Sequence, residues 1–360
     1  RMARLLMAAL RGAGHDVVVA SRFRTRDGAG DTNRQERLAA LGDRMAERLL
    51  RRFETGGWRP EIWFTYHLYY KAPDLIGPRV ARELNIPYVV AEASHAPKRA
   101  GGPWDPGHCA VAAALEQADL VIGLNNHDRA CVEPVLGPGG RYVQIRPFLD
   151  LNELPRESVD RDRIAKSLGL SKAHPWLLAV GMMRKGDKAS SYAILADALT
   201  RLPKGDDWQL IVVGDGSERA AIEALFEPFS DRTVFTGALA TKALFDIYAA
   251  ADLLVWPAIN EAYGMALLEA QASGLPVVAG DTGGVPDIVR HGRTGLLTSS
   301  GDAPAFATAV ASLLADSDRR LAMAEEARAV TATEHSLQSA AHAIDEALVS
   351  IVSGRGDGRA

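Results

Sequence analysis

Residues 253–280 read LLVWPAINEAYGMALLEAQASGLPVVAG, with an apolar run at each end and two carboxylates between the runs. The two runs, residues 253–257 and 275–280, are typical of buried strands, and the alanine-rich residues between them favour a helix. A strand, a turn, a helix and a second strand in this order predict a parallel βαβ unit. Open α/β sheets bind ligands at the carboxyl ends of their strands. Glu261 is therefore predicted to lie in a binding crevice, with Glu269 in the helix that follows.

The same alternation of strands and helices covers both halves of the chain. In the second half, strands are predicted at residues 176–180, 209–213, 233–236, 253–256 and 277–279, and helices at 190–202, 218–226 and 241–250. In the first half, strands are predicted at residues 16–20, 62–65, 88–91, 120–123 and 142–145, and a helix at 35–53. Continuous apolar strands that alternate with amphipathic helices indicate parallel sheets covered on both faces. The predicted fold class is α/β with two Rossmann-like domains.

Domain boundaries follow from turn-forming residues and from the ends of the helical patterns. Residues 147–155 are predicted to be a linker, which gives an N-terminal domain at 1–148 and a C-terminal domain at 149–332. We expect a helix within 333–352 that crosses back to the first domain, and a disordered tail at 353–360. Residue 1 is Arg, and residues 1–13 already have a helical pattern. Since such a domain normally opens with a strand, we expect that the first strand of the N-terminal domain is missing here.

Composition and charge are ordinary for a soluble protein of 360 residues, and a net charge of -4 predicts no nucleic-acid partner. Residues 1–60, however, hold thirteen Arg and seven acidic residues. This excess indicates either solvated helix faces or a basic surface that approaches anionic lipid or an anionic acceptor. Cys109 and Cys131 have neither disulfide nor zinc spacing, which predicts free thiols in a reducing cytoplasm. No apolar run approaches about 18 residues, so any membrane contact is predicted to be peripheral, at the inner membrane face.

The carboxylate pair is followed at residues 281–297 by DTGGVPDIVRHGRTGLL. This ensemble resembles the retaining, glycogen-synthase-like family of nucleotide-sugar glycosyltransferases, the glycosyltransferase family 4 type, and the resemblance extends more weakly over nearly the whole chain. It implies two facing Rossmann-like domains, the GT-B arrangement. It also implies transfer of a sugar, with retention, from a nucleotide-diphosphate sugar to a saccharide, a lipid-linked saccharide or a small molecule. The second domain would hold the donor, and the first would offer the acceptor surface.

The resemblance also implies roles for charged residues. Arg184 and Lys188 match the cations that hold the donor diphosphate. Lys185 is a substitute for either of them, because the gap between Arg184 and Lys188 is one residue shorter than in the family's usual pattern. Preorganised cations stabilise the charge that grows on a leaving diphosphate. Glu261 matches the carboxylate at the donor sugar. Glu269 matches the carboxylate that accepts hydrogen bonds from the ribose hydroxyls. For Arg184 and Lys188, the alternative is an exposed basic turn. For Glu261 it is a charge at a helix N-terminus, and for Glu269 it is a solvated helix position.

Backbone groups and histidines complete the implied site. Ala238 and Leu239 match backbone contacts to the nucleotide base. His95 matches a histidine that faces the donor sugar, although an ordinary surface residue is the alternative. His67 lies in an aromatic cluster, which either packs under a loop or stacks on an acceptor sugar. The amides that open the helix after the turn are predicted to cradle anionic groups of the donor, and they belong to Tyr263, Gly264, Met265 and Ala266.

No Asp-x-Asp sequence occurs at a strand end beside this constellation, so we expect neither a metal ion nor a cofactor beyond the donor substrate. Two rival functions use the same scaffold. A nucleotide-sugar epimerase would release a changed sugar without any acceptor. A non-catalytic sugar-nucleotide-binding partner of another enzyme would bind the donor without turning it over.

Overall fold

The computed structural model describes residues 2–154, 159–203, 205 and 207–356, with side chains described as far as residue 353. The chain divides into two compact units. The first unit contains Arg1–Ile145 together with Ala340–Ala360, and the second contains Arg146–Ser339. Each unit is built on one parallel sheet with helices around it.

The sheet of the first unit has four parallel strands in the order β1-β2-β3-β4. Its inner strands are largely apolar and, apart from Glu92, have buried side chains, as expected for a parallel sheet that is covered on both faces. The strands are β1 (Trp63–Leu68), β2 (Tyr88–Ala93), β3 (Leu120–Gly123) and β4 (Arg141–Gln144). The helices of this unit are α1 (Met2–Gly12), α2 (Thr32–Thr55), α3 (Gly77–Leu84), α4 (Asp105–Gln117) and α5 (Arg129–Val132).

One predicted strand of the first unit is absent from the described structure. Residues 16–20 have no regular secondary structure, and Val18 and Val19 are 49% and 55% exposed. Their β-branched side chains favour extended backbone, but a strand also needs a neighbour to bond with, and β1 is the edge of the described sheet. An open cavity of about 930 Å³ separates this segment from β1. The strand prediction at 16–20 was therefore wrong.

The sheet of the second unit has six parallel strands in the order β10-β9-β8-β5-β6-β7. Five of them were predicted, and β10 was missed because its short apolar run follows a turn rather than a helix. The strands are β5 (Trp176–Val180), β6 (Gln209–Val213), β7 (Thr233–Gly237), β8 (Leu253–Trp256), β9 (Val277–Asp281) and β10 (Gly295–Ser299). The helices are α6 (Arg161–Leu168), α7 (Asp187–Thr200), α8 (Arg219–Leu225), α9 (Thr241–Ala250), α10 (Met265–Ala272), α11 (Ala303–Ala315) and α12 (Ser317–Glu334).

The last helix, α13 (Leu337–Gly356), continues past its predicted end at residue 352 and takes in residues 353–356 of the predicted tail. Glycines are tolerated there because the final turn of a helix has few backbone bonds to lose. The rest of the predicted tail, residues 357–360, and Pro155 of the predicted linker lie outside the described residues. Among the helices that the structure describes, none has the length and apolar character needed to span a membrane.

His335, at the end of α12, predicts a pH dependence of stability. The side chain is buried, and its Nδ1 lies 2.6 Å from the carbonyl oxygen of Pro147, to which the neutral ring donates. Burial lowers the pKa of His335 below its ordinary value of 6.5. The unfolded chain therefore binds a proton at His335 more readily than the folded chain does. We expect the melting temperature to fall as the pH drops below 6.5.

Thermal melts between pH 5 and 8 of the wild type and of a His335→Gln variant measure this effect. The glutamine keeps a donor for the carbonyl of Pro147 but does not titrate. The variant should show a shallower loss of stability on the acid side. Identical slopes for the two proteins would show that another group controls the acid transition.

Candidate active site

The order of the second sheet contains one switch point, between β5 and β8. The chain runs from β5 outwards through β6 to β7, then returns to the other side of β5 and continues through β8 to β10. Leu177 of β5 pairs with Leu253 of β8, so the two strands end side by side. In open α/β sheets the crevice beyond such a point binds ligands. The loop after β5 and the turn after β8 both enter this crevice.

Lys188 and Glu261 meet at the switch point, although 72 residues separate them in the sequence. The Nζ of Lys188 forms an ion pair with Oε2 of Glu261, and each side chain is only 17% exposed. The indole Nε1 of Trp256 lies 3.4 Å from the same carboxylate oxygen. The Lys188 ammonium also lies 5.2 Å from the centroid of the Trp256 ring. Two residues predicted as catalytic are therefore in contact, and the indole of Trp256 supports both of them.

The turn that carries Glu261 has a strained backbone. Ala258 and Asn260 have φ angles of 55° and 50°, in the left-handed region that non-glycine residues rarely adopt. Two contacts with α7 hold it: the amide of Ile259 donates to Oγ of Ser191 at 3.0 Å, and Asn260 Nδ2 donates to Asp187 at 3.1 Å. Strain of this kind costs about 1–3 kcal/mol per residue and clusters at functional sites.

Sequence reasoning missed Asp187 and Ser191 as supports of this turn. They lie four residues apart on one face of α7, beside Lys188, and Ser191 is fully buried. Their spacing was a usable signal, because residues i and i+4 of a helix share a face. The same helix therefore presents the lysine and fixes the turn of its carboxylate partner.

Gly283 and Gly284 fix the backbone of Glu261 from the other side. Gly283 has φ 53°, and a Cβ there would overlap with the carbonyl oxygen of Glu261. The amide of Gly284 donates to that same carbonyl oxygen at 3.2 Å. This close approach requires glycine, because a side chain would force the two turns apart.

Arg184 and Lys185 lie on the loop after β5, and both are exposed. The loop is anchored by Met183, which is fully buried and whose amide donates to the carbonyl of Asp215 at 2.9 Å. A Cβ on Gly216, in the turn after β6, would overlap with the carbonyl of Met183. This turn therefore lies directly against the loop after β5. Among the described residues, the guanidinium of Arg184 has no hydrogen-bond or ion-pair partner.

Helix α10 begins at Met265 behind Gly264, whose φ of 75° suits glycine, and no side chain in the described part of the chain caps it. The predicted amides of Met265 and Ala266 therefore lie in its open first turn, just after Tyr263. Glu269 is only 6% exposed, and Tyr248 donates a hydrogen bond to its Oε2 at 3.1 Å. The solvated alternative for Glu269 is excluded, whereas its contact with a ribose stays a prediction.

The remaining predicted residues lie at carboxyl ends of strands. Ala238 is exposed and Leu239 half-buried, and both directly follow β7. In the first unit, His95 follows β2 and stacks on His108, with ring centroids 4.9 Å apart and an angle of 26° between the planes. Burial, and then the proximity of His108, lower the pKa of His95, so its ring is neutral at neutral pH.

His67 itself is exposed, while the rings of Tyr66 and Tyr69 that contact it are half-buried. Its Nδ1 lies 3.1 Å from Oε1 of Glu92, and this hydrogen bond raises the pKa of His67. His67 and Glu92 both have positive φ angles, 67° and 61°. Whether His67 contacts an acceptor sugar stays a prediction.

This chain is similar to known proteins in sequence and in fold. Residues 174–316, all within the second unit, match the sequence profile of the family described as Glycosyl transferases group 1. The D-inositol 3-phosphate glycosyltransferase of Nocardia farcinica is 30% identical over 247 residues, which are 67% of this chain and 49% of that protein. The GDP-mannose-dependent alpha-(1-6)-phosphatidylinositol monomannoside mannosyltransferase of Mycobacterium tuberculosis is 29% identical over 222 residues, 58% of this chain and 56% of that protein. The chain thus spans about half the length of these relatives.

Solved structures show the fold. The crystal structure of Alr3699/HepE from Anabaena in complex with UDP-glucose superposes with a TM-score of 0.68 and 21% identity, covering 86% of this chain and 84% of that one. This likeness shows an α/β fold with a parallel sheet in each unit, and the predicted α/β class is confirmed. Within this class, the second unit carries a domain of the Glycosyl transferases group 1 family.

Proposed function

We propose that this chain transfers a sugar from a nucleotide-diphosphate sugar to a hydroxyl-bearing acceptor, with retention at the anomeric carbon and without a metal ion. The observation that carries the proposal is the contact between Lys188 and Glu261 at the switch point of the second sheet. A cation and a carboxylate in one half-buried crevice match the two opposite charges that develop when a glycosyl phosphate bond breaks. Negative charge grows on the diphosphate, and positive charge grows on the sugar ring.

Each charged residue has a distinct task in this proposal. Lys188 and Arg184, which has no partner among the described residues, stabilise the leaving diphosphate, together with the open amides of α10. Glu261 orients the donor sugar and supports its cationic centre. The ion pair with Glu261 keeps the Lys188 side chain from turning into solvent before the donor arrives. Because cations and amides already neutralise the diphosphate, no metal ion is required.

The two relatives and the structural neighbour support the substrate class. One relative is named for its dependence on GDP-mannose, and HepE is bound to UDP-glucose. Both donors are nucleotide-diphosphate sugars, but their bases differ, so the base stays open for this chain. The acceptor of the Nocardia farcinica relative is D-inositol 3-phosphate by its name. For this chain, a saccharide, a lipid-linked saccharide and a small molecule all fit as acceptors. The predicted cytoplasmic location and peripheral membrane contact are part of the same proposal.

Thermal-shift measurements with UDP-, GDP- and ADP-sugars test the donor assignment. A ligand at a hundred times its dissociation constant stabilises the folded state by about 2.7 kcal/mol, which raises the melting temperature measurably. We expect one nucleotide class to produce such a shift in the wild type and a much smaller one in a Lys188→Met variant. If no nucleotide sugar shifts the wild type, the proposal is lost.

Incubation with the identified donor then separates the rival functions. An epimerase would convert the donor alone into a new nucleotide sugar, and a non-catalytic partner would leave it intact with every acceptor. We expect transfer that depends on the acceptor and gives a product with the anomeric configuration of the donor. The rate should be unchanged in the presence of a chelator.

A further inference from the structure

A second group of cations lies in the first unit, around the rings of Tyr70 and Trp104. Lys71 Nζ is 5.6 Å from the Tyr70 centroid and 5.0 Å from that of Trp104. Arg99 Cζ is 5.0 Å and 5.4 Å from the same two centroids. The rings themselves meet edge to face, 5.7 Å apart. Significant cation–π contacts occur about once per 70–80 residues, so four contacts on two shared rings are a local concentration.

The scaffold under these rings is rigid. Trp104 Nε1 donates to the carbonyl of Asp27 at 3.1 Å, which fixes the indole. Gln35, itself buried, donates to the carboxylate of Asp27 at 3.0 Å and to the carbonyl of Pro103 at 2.9 Å. A Cβ on Gly30 would lie 2.7 Å from Cβ of Pro103, so the backbone at Gly30 packs closely against the side chain of Pro103. The rings that carry the two cations are thus held in place before any ligand binds.

The two cations are not paired within the described part of the chain. Neither the Lys71 ammonium nor the Arg99 guanidinium forms a hydrogen bond or an ion pair with a described residue. The Nε of Arg99 is shielded from solvent and has no partner there. Two like charges that share one platform repel each other, and partial burial weakens their hydration. A bound anion would relieve both costs.

We propose that Lys71 and Arg99, supported by Tyr70 and Trp104, bind the phosphate group of a phosphorylated polyol or saccharide. A phosphate carries close to two negative charges and three acceptor oxygens, which suits one lysine and one forked guanidinium. The aromatic rings offer apolar surface to the carbon face of the attached sugar. This ligand is the acceptor if the proposed glycosyl transfer holds, and the phosphate site itself stands independently of that function.

Calorimetric titration at low ionic strength tests the site, with inorganic phosphate, glucose 6-phosphate and glucose as probes. We expect the wild type to bind glucose 6-phosphate at least about tenfold more tightly than glucose, because a charge-assisted bond contributes a factor of this size. A K71Q/R99Q variant should lose this preference and bind phosphate about tenfold more weakly or worse. The matched control is Lys98→Gln, which removes an exposed neighbouring charge and should keep the preference.

Sedimentation with vesicles identifies the source of the phosphate. Binding to vesicles that contain phosphatidylinositol 4-phosphate, but not to neutral phosphatidylcholine, would assign the site to a lipid headgroup if K71Q/R99Q abolishes it. Thermal shifts with the donor nucleotide show that the double variant is folded and that the donor site is intact. The site is disproved if the wild type binds glucose and glucose 6-phosphate equally, or if the double variant binds phosphate like the wild type. Failure of donor binding in the wild type would instead reject only the proposed transferase function.

Discussion

Arg184→Ala is expected to lower turnover by about two to three powers of ten at saturating sugar donor. This is the range for losing one preorganised group that stabilises charge in the transition state. The guanidinium lies at the carboxyl end of β5, exposed and unpaired among the described residues, on a loop anchored by the buried Met183. An unpaired side chain on a fixed loop is available to the diphosphate without breaking another contact. Its effect should appear mainly in kcat, because the charge on the leaving group grows towards the transition state.

The matched control is Lys185→Ala, which removes the adjacent exposed cation from the same loop. If Arg184 is the diphosphate ligand, this variant should keep turnover within a few-fold of the wild type. The reverse result, a large loss in Lys185→Ala and a small one in Arg184→Ala, would transfer the role to the lysine that the shortened spacing left as a substitute. Steady-state kinetics with the donor found by thermal shift measures both variants.

Most strands of this chain are predictable because parallel sheets need apolar runs, and those runs are local features of the sequence. The run at Trp176–Val180 became β5 at the predicted residues. The valines at 16–20 have the same character, yet they form no strand in the described structure because pairing also needs a neighbour. Strand pairing is a long-range property, and composition does not reveal it. β10 was missed for the opposite reason. Its apolar run is too short to predict a strand, but its pairing with β9 makes it one.

The site shows the same division between local and long-range information. Glu261 was predictable from the strand and turn around it. Its partner Lys188 was assigned from the family resemblance, because only the strand order places β5 beside β8. Trp256 was visible in the sequence as a strand residue, but its indole contact with Glu261 depends on the left-handed turn at Ala258 and Asn260. Alanine rarely adopts that conformation, so no local propensity predicts it.

Glu261→Gln and Lys188→Met should each lower turnover by about two to three powers of ten, and together they should cost far less than the product of the two losses. Each single change leaves one charge in a crevice where both side chains are only 17% exposed. The glutamine variant keeps an ammonium without its carboxylate, and the methionine variant keeps a carboxylate without its ammonium. Removing both charges removes this extra penalty. The turnover of the double variant should therefore lie within about tenfold of that of the less active single variant.

A double-mutant cycle on kcat at saturating donor measures this coupling, with donor affinity followed separately by thermal shift. The control is Glu227→Gln, an exposed carboxylate ahead of β7 at the amino end of the sheet, which should leave turnover unchanged. Losses that simply multiply would mean that Lys188 and Glu261 act at independent points on the donor. Non-additive losses would instead support one cluster, in which the carboxylate holds the ammonium in place for the diphosphate and the ammonium holds the carboxylate in place beside the sugar.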